Sequence, residues 1–232
     1  MDKKISIYGA GSGDRVTLIR PPSWVQYPDA LLIQEKDMDM EDRYPVRQFV
    51  INSRGVMYYE MPKVASNSIC AAIHSTNTSP QVVPIQFRFT YVRHPLARLV
   101  SAYVEKIQQG KIQWLTCSHK MIQALQPSIS IEDFVDFLVN FDSKNYDGEL
   151  LGNHWCPQSW LVNSMPPLDF VGCLENIKEE WPTLMERGLG PLPHKHKTEN
   201  IPTWQQILDT ETETKARKFY HEDFDMWPNW WN

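Results

Sequence analysis

Nowhere in the 232 residues does an apolar run approach the roughly 20 residues that a membrane-spanning helix needs. Lysines stand near the start, but Met1–Ile7 leads into no apolar stretch of the kind that makes a signal peptide. The expectation is a soluble, cytoplasmic chain, or an excised catalytic domain. Cysteine is scarce: Cys70, Cys117, Cys156 and Cys173 form no C-x-x-C pair. A dense disulfide framework and a structural zinc site are therefore unsupported. Four buried or indifferent thiols are expected, with a Cys117–Cys156 bridge as the alternative. Ten glycines against 17 prolines indicate defined turns and no Gly/Ser-rich linker. Positive charge is not in excess either. The net charge of -5 argues against a chain that coats nucleic acid, so an anionic ligand must be held by a local cluster of cations. There is no internal repeat and no low-complexity stretch.

What is present is enough for one sizeable core: 42% hydrophobic residues, with nine each of Trp, Tyr and Phe. Residues 1–55 are polar and broken by proline, with short β-type runs at Val16–Ile19 and Phe49–Ile51. They read as an N-terminal extension with edge strands packed on a main domain of residues 56–232. There Val56–Glu60 and Phe87–Val92 have strand composition, and Phe170–Leu174 follows the Pro166–Pro167 turn. Between them come helices. Leu96, Leu99, Val100, Tyr103 and Ile107 fall on one face of a 3.6-residue period, with Pro95 in the first turn. Ile131–Asn140 has Ser130 as its cap. A further helix starts from Asn176, with Glu179 in the capping-box position and Pro182 set to kink or split it. A last helix is expected over Ile207–Phe224. The alternation predicts an α/β fold: a single P-loop-like nucleotide-binding domain with a central, mostly parallel sheet flanked by helices.

Gly9-Ala10-Gly11-Ser12-Gly13 after Lys4–Ile7 imitates a dinucleotide fingerprint. That fingerprint needs a helix directly after its glycines, and Asp14–Ile19 is β-branched instead; the segment reads as a turn. A better anion site is Met61-Pro62-Lys63-Val64-Ala65-Ser66-Asn67-Ser68, between a strand and a helix. Such a loop aims backbone N–H groups and a helix N-terminus at one spot. Lys63 adds a full charge, and Ser66, Asn67 and Ser68 add short donors. The glycines of a Walker loop are missing, so the bland alternative is a strand–loop–helix with polar caps. A second candidate is Arg93, at a strand's carboxyl end, with Ser101 two turns into the next helix. A guanidinium there suits bidentate phosphate binding. Arg98 reads as a surface helix residue.

Together, P-K-x-A-S-x-S at Pro62–Ser68 and R-x-P-x-x-R-L-x-S-A-Y at Arg93–Tyr103 resemble the membrane-bound type of carbohydrate sulfotransferases, the group containing the HNK-1, chondroitin and uronyl 2-O-sulfotransferases. Fainter likeness appears in His154-Trp155-Cys156-Pro157-Gln158, in Asp169-Phe170-Val171-Gly172 running to Glu175, and in Tyr220-His221-Glu222-Asp223-Phe224. The resemblance implies that the first loop, with Pro62, Lys63, Ala65, Ser66, Asn67 and Ser68, binds the 5'-phosphosulfate of 3'-phosphoadenosine-5'-phosphosulfate (PAPS). It implies that Arg93 and Ser101 grip the 3'-phosphate. It also implies that the basic loop His194–Thr198 closes over the product PAP, with Lys195 and Lys197 as candidates; a solvated charged loop is the alternative. The chain departs from Golgi members in having neither a clear membrane anchor nor paired lumenal cysteines. The stretch Ala71–Thr90, which carries catalytic histidines in the uronyl enzymes, holds only His74.

Sulfuryl transfer is an in-line displacement, so a protein catalyses it by positioning and charge stabilisation. Lys63 is the candidate to stabilise the departing oxygen, with no metal called for. His154 is the leading candidate base, with His74 and Glu60 as alternatives; packing of a loop is the structural alternative for His154. The expected acceptor is a glycan or another hydroxyl-bearing molecule. Rival functions are a nucleotide or small-molecule kinase, opposed by the missing Walker loop, and a non-catalytic PAP-binding protein of the same fold.

Overall fold

A computed structural model describes residues 5–8, 15–19, 32–35, 47–51, 54–74, 85–111, 125–142, 151–193 and 201–231. Its strands are β1 (Ile5–Tyr8), β2 (Arg15–Ile19), β3 (Leu32–Glu35), β4 (Arg47–Ile51), β5 (Val56–Glu60), β6 (Phe87–Val92) and β7 (Phe170–Cys173). Its α-helices are α1 (Ser66–His74), α2 (Pro95–Ala102), α3 (Ile131–Val139), α4 (Gln158–Asn163), α5 (Ile177–Glu186), α6 (Trp204–Ile207), α7 (Thr210–Phe219) and α8 (His221–Met226). They fall into two compact units, residues 1–92 with 164–197, and residues 93–163 with 198–232. Among the described residues no helix is long and apolar enough to cross a membrane.

The first unit holds one seven-stranded sheet whose strands lie in chain order. β5, β6 and β7 run parallel, flanked by helices, so the α/β class holds. The parallel part is these three strands; β1 to β5 pair antiparallel along the rest of the sheet. The glycine run 9–13 lies outside the described residues. The strands on either side of it pair antiparallel, Ile5 opposite Leu18, so a strand follows it where a Rossmann unit would need a helix. Val56–Tyr59 are buried without alternation, as expected of a strand covered on both faces.

Aromatic rings tie the parallel strands together. Tyr58 lies 5.1 Å from Phe89, and Tyr91 meets Phe170 at 5.9 Å and Trp181 at 6.2 Å. Gly172 pairs with Tyr91 across β6 and β7, and any Cβ there would strike the Tyr91 ring and the Glu180 carboxylate. Asp169 extends the same pairing: its N–H donates to Arg88 O at 2.9 Å, and its Oδ2 accepts the Arg88 N–H at 2.7 Å.

At α5 the capping differs from expectation. Asn176 occupies the N-cap position but makes no side-chain cap bond, because the chain winds in through a 3-10 turn at Leu174–Asn176. Glu180, not Glu179, is the carboxylate that reaches back, accepting the Cys173 N–H at 3.0 Å. Nor does Pro182 split the helix. It removes one donor, and buried Trp181 and Leu184 hold the segment in place.

In the second unit α2 continues as a π-helical turn over Tyr103–Gln108. Leu96, Leu99, Val100, Tyr103 and Ile107 are all buried, as their spacing predicts. Ser130 caps α3 by accepting the Asp133 N–H at 3.1 Å. The single helix expected over 207–224 is instead three short ones. Asp209 interrupts it by capping α7, accepting the Thr212 N–H at 2.7 Å. Tyr220 interrupts it again, with its hydroxyl donating to the Trp155 carbonyl.

Candidate active site

The chain leaves β5 at half-buried Glu60 and turns through Pro62, Lys63, Val64 and Ala65 into α1. Lys63 has φ 71 and Ala65 has φ 59, so two residues that are not glycine sit in the left-handed region within one short loop. Each such conformation costs on the order of 1–3 kcal/mol and persists only where the surroundings over-determine it. Here Val64 is wholly buried, and the Ser66 hydroxyl donates to Met61 O at 2.7 Å. Ala65 O accepts the N–H groups of Ser68 at 2.8 Å and Ile69 at 3.1 Å, which starts the helix. The N–H groups of Ser66 and Asn67 lead α1, where a helix has no acceptor for them and its dipole is positive. Pro62, Lys63 and Ser66 are half-buried, Ala65 and Asn67 exposed, and Ser68 buried. Anions bind at the helix N-terminus in other strand–loop–helix units.

Glu60 lies close enough to Tyr58 to act on its hydroxyl. Burial first, then the charges of Cys70 and Glu60, push the Tyr58 pKa well up. His74 is the last residue of α1, eight positions beyond Ser66. At about 1.5 Å per residue this puts its backbone roughly 12 Å along the axis from the loop.

β5 and β6 run parallel, so the loop after β5 and the C-terminal end of β6 at Val92 lie at the same end of the sheet. Open α/β sheets carry ligands at the carboxyl ends of their strands. Half-buried Arg93 belongs to the second unit. Its N–H donates to Gln158 Oε1 at 2.9 Å, and Gln158 Nε2 donates back to Arg93 O at 2.7 Å. Ser101 is buried on α2.

Arg98 corrects the sequence reading. Expected on the surface, it is 1% exposed and donates to Cys156 O at 2.8 Å and to the Asn153 carbonyl. It thus fixes both sides of the turn that carries His154. Half-buried His154 places Nδ1 3.1 Å from Asn153 Oδ1. In the tautomer that donates from Nδ1 to this oxygen, Nε2 is the basic nitrogen.

The fainter motifs interlock. The carboxylate of Asp223, 0% exposed, caps α4: Oδ2 accepts the Gln158 N–H at 3.0 Å and Oδ1 the Ser159 N–H at 2.7 Å. Burial raises the Asp223 pKa despite these bonds and the nearby Arg98. Glu222 accepts from the Trp160 indole at 2.9 Å. Cys156 and Cys173 are buried thiols, each pushed up to about 12 by burial, with the hydrogen bond to Glu175 adding to it at Cys173; neither is poised as a nucleophile. Cys117, Lys195 and Lys197 lie outside the described residues.

Gln158, Arg98 and Asp223 carry more of this site than their sequence context indicates. A signal exists for Arg98: Pro95–Ala102 offers only Arg98 and Ser101 as polar residues, too few for a solvated helix face.

Among models of protein families, the one for the sulfotransferase family matches residues 47–228. Comparison with curated proteins and with solved structures gave no match.

Proposed function

The chain belongs to the sulfotransferase family, and we propose that it transfers a sulfuryl group from PAPS to an acceptor hydroxyl, with a glycan as the acceptor class. The observation that carries the donor assignment is the loop Pro62–Ser68, where Lys63 and Ala65 are held in left-handed conformations at the head of α1. Two left-handed residues retained beside a lysine at the head of a helix support a segment kept for a ligand. The residues fit a phosphosulfate: Lys63 supplies the charge, Ser66 and Asn67 the amides, and Pro62, Ala65 and Ser68 the shape of the loop. Arg93 and Ser101 are assigned to the 3'-phosphate, and Lys195 and Lys197 to the PAP end. The glycan assignment rests on the resemblance of the two motifs to carbohydrate sulfotransferases.

PAPS supplies the activated sulfuryl group when bound. The protein's part is to hold charge and a proton acceptor in place. Lys63 sits where a leaving oxygen gains negative charge, and its cation stabilises that charge more than it stabilises the ground state. His154 Nε2 takes the proton of the attacking hydroxyl; the Asn153 contact keeps the tautomer, and the Arg98 bonds keep the turn.

Thermal shift with PAP and with adenosine 5'-phosphate tests the assignment. PAP should raise the melting temperature further at equal concentration, through tighter binding to the native state. Equal stabilisation by the two nucleotides would leave the 3'-phosphate without a dedicated site and refute the reading of Arg93 and Ser101.

A further inference from the structure

Arg93 stands between two regular elements. β6 has ended at Val92 and α2 begins at Pro95. Between them His94 takes an extended ψ of 122, as a residue before proline does. The Arg93 N–H and C=O would ordinarily turn to water. Here one side chain takes both: Gln158 Oε1 accepts the N–H at 2.9 Å, and Nε2 donates to the carbonyl at 2.7 Å. An amide side chain thus replaces the missing neighbouring strand.

Gln158 is itself held. It is 0% exposed and begins α4. Asp223 Oδ2 accepts its backbone N–H at 3.0 Å and lies 3.4 Å from its Nε2. Both acceptors, Arg93 O and Asp223 Oδ2, face Nε2, and the donor Arg93 N–H faces Oε1. Only one orientation of the amide satisfies all of them, so it cannot flip without leaving a buried group unpaired.

We infer that Gln158, with Asp223 behind it, is a positioning residue that fixes the Arg93 backbone and thereby the aim of its guanidinium, setting selectivity for a nucleotide that bears a 3'-phosphate. The inference rests on the reading of Arg93 as the 3'-phosphate ligand. Its physical basis is that a guanidinium holds phosphate through two parallel bonds of fixed geometry. Small displacements of the Cα–Cβ direction spoil both bonds together. Nothing in this role requires Gln158 to touch the nucleotide.

The test uses the full chain and two ligands, PAP and adenosine 5'-phosphate, titrated calorimetrically into wild type, Gln158→Met and Arg93→Ala. Gln158→Met keeps length and burial but cannot bond Arg93. It should lower the preference for PAP by about tenfold, the scale of losing hydrogen bonds to a charged group. Affinity for adenosine 5'-phosphate should hold, and hydrogen exchange at the Arg93 amide should accelerate. Preference retained while that amide loses protection overturns the inference, as does equal weakening of both nucleotides. Should Gln158→Met not fold, Gln158→Leu gives the same reading, since it too can bond neither Arg93 N–H nor Arg93 O. Fast exchange of the Arg93 amide in wild type would also overturn it, with no variant needed. If Arg93→Ala keeps the PAP preference, the reading of Arg93 fails. If Arg93→Ala loses it and Gln158→Met does not, only the positioning role fails.

Discussion

Replacing Arg98 by methionine separates a buried clamp from a surface arginine. The side chain is 1% exposed and donates to two main-chain carbonyls, those of Cys156 and Asn153. Hydrogen bonds from a charged donor contribute about 1.5–3 kcal/mol each, and both carbonyls would lose their partner. Methionine refills most of the volume, and removing the guanidinium also removes its own cost of burial. Asp223, however, would lose the cation that favours its charged form. Two charge-assisted bonds lost, set against the arginine's own cost of burial, leave a net loss of about 3–5 kcal/mol. At roughly 2–4 °C per kcal/mol for a chain of this size, the melting temperature should fall by about 6–20 °C. Thermal unfolding followed by near-ultraviolet circular dichroism reads this, with Arg98→Lys losing less because one ammonium can serve one carbonyl well. A surface arginine would cost no more than about 0.5 kcal/mol. A shift of a degree or two for Arg98→Met would refute the clamp.

Other expectations follow from the same geometry. Burial raises the Asp223 pKa, so the folded state holds its proton to higher pH than the unfolded chain does. The stability of wild type relative to Asp223→Asn should therefore fall as pH rises from the ordinary carboxylate range through the raised value; denaturant midpoints against pH that move the other way would contradict this. Lys63→Gly relieves a left-handed lysine and should raise stability by about 0.5–1 kcal/mol while turnover is lost, measured by melting and activity on one preparation. His154→Ala should lower kcat by about 10²–10⁴-fold with PAP affinity unchanged, and His74→Ala should not. If His74→Ala gives the larger loss, the two roles are exchanged.

The sequence displays the elements whose pattern is local. Phe87–Val92 is read to the residue because aromatic and β-branched residues crowd it, and the stripe from Leu96 to Ile107 because its period is helical. What it hides depends on distant partners. Arg98 is buried because carbonyls 55 and 58 residues away need donors, and no window of sequence contains them. Gln158 acquires its task from Arg93, 65 residues before it. The left-handed loop is hidden for another reason: lysine and alanine seldom adopt that conformation, and the burial of Val64 between them imposes it. The helix break at Asp209 was within reach of sequence, since an aspartate three residues before Thr212 is a cap signal, but the apolar positions on either side of it suggest one continuous helix.

Sulfuryl transfer through the Lys63 loop can be followed by the label itself. The most direct measurement incubates the full chain and its Lys63→Ala variant with PAPS radiolabelled in the sulfuryl group, over a panel of glycan, lipid and small-molecule hydroxyl acceptors. Label should reach a hydroxyl, a glycan's first among them, with wild type and not with Lys63→Ala, although the variant stays folded and binds PAP. Label moved equally well by Lys63→Ala, or tight PAP binding by wild type with no label moved to any acceptor, would contradict it.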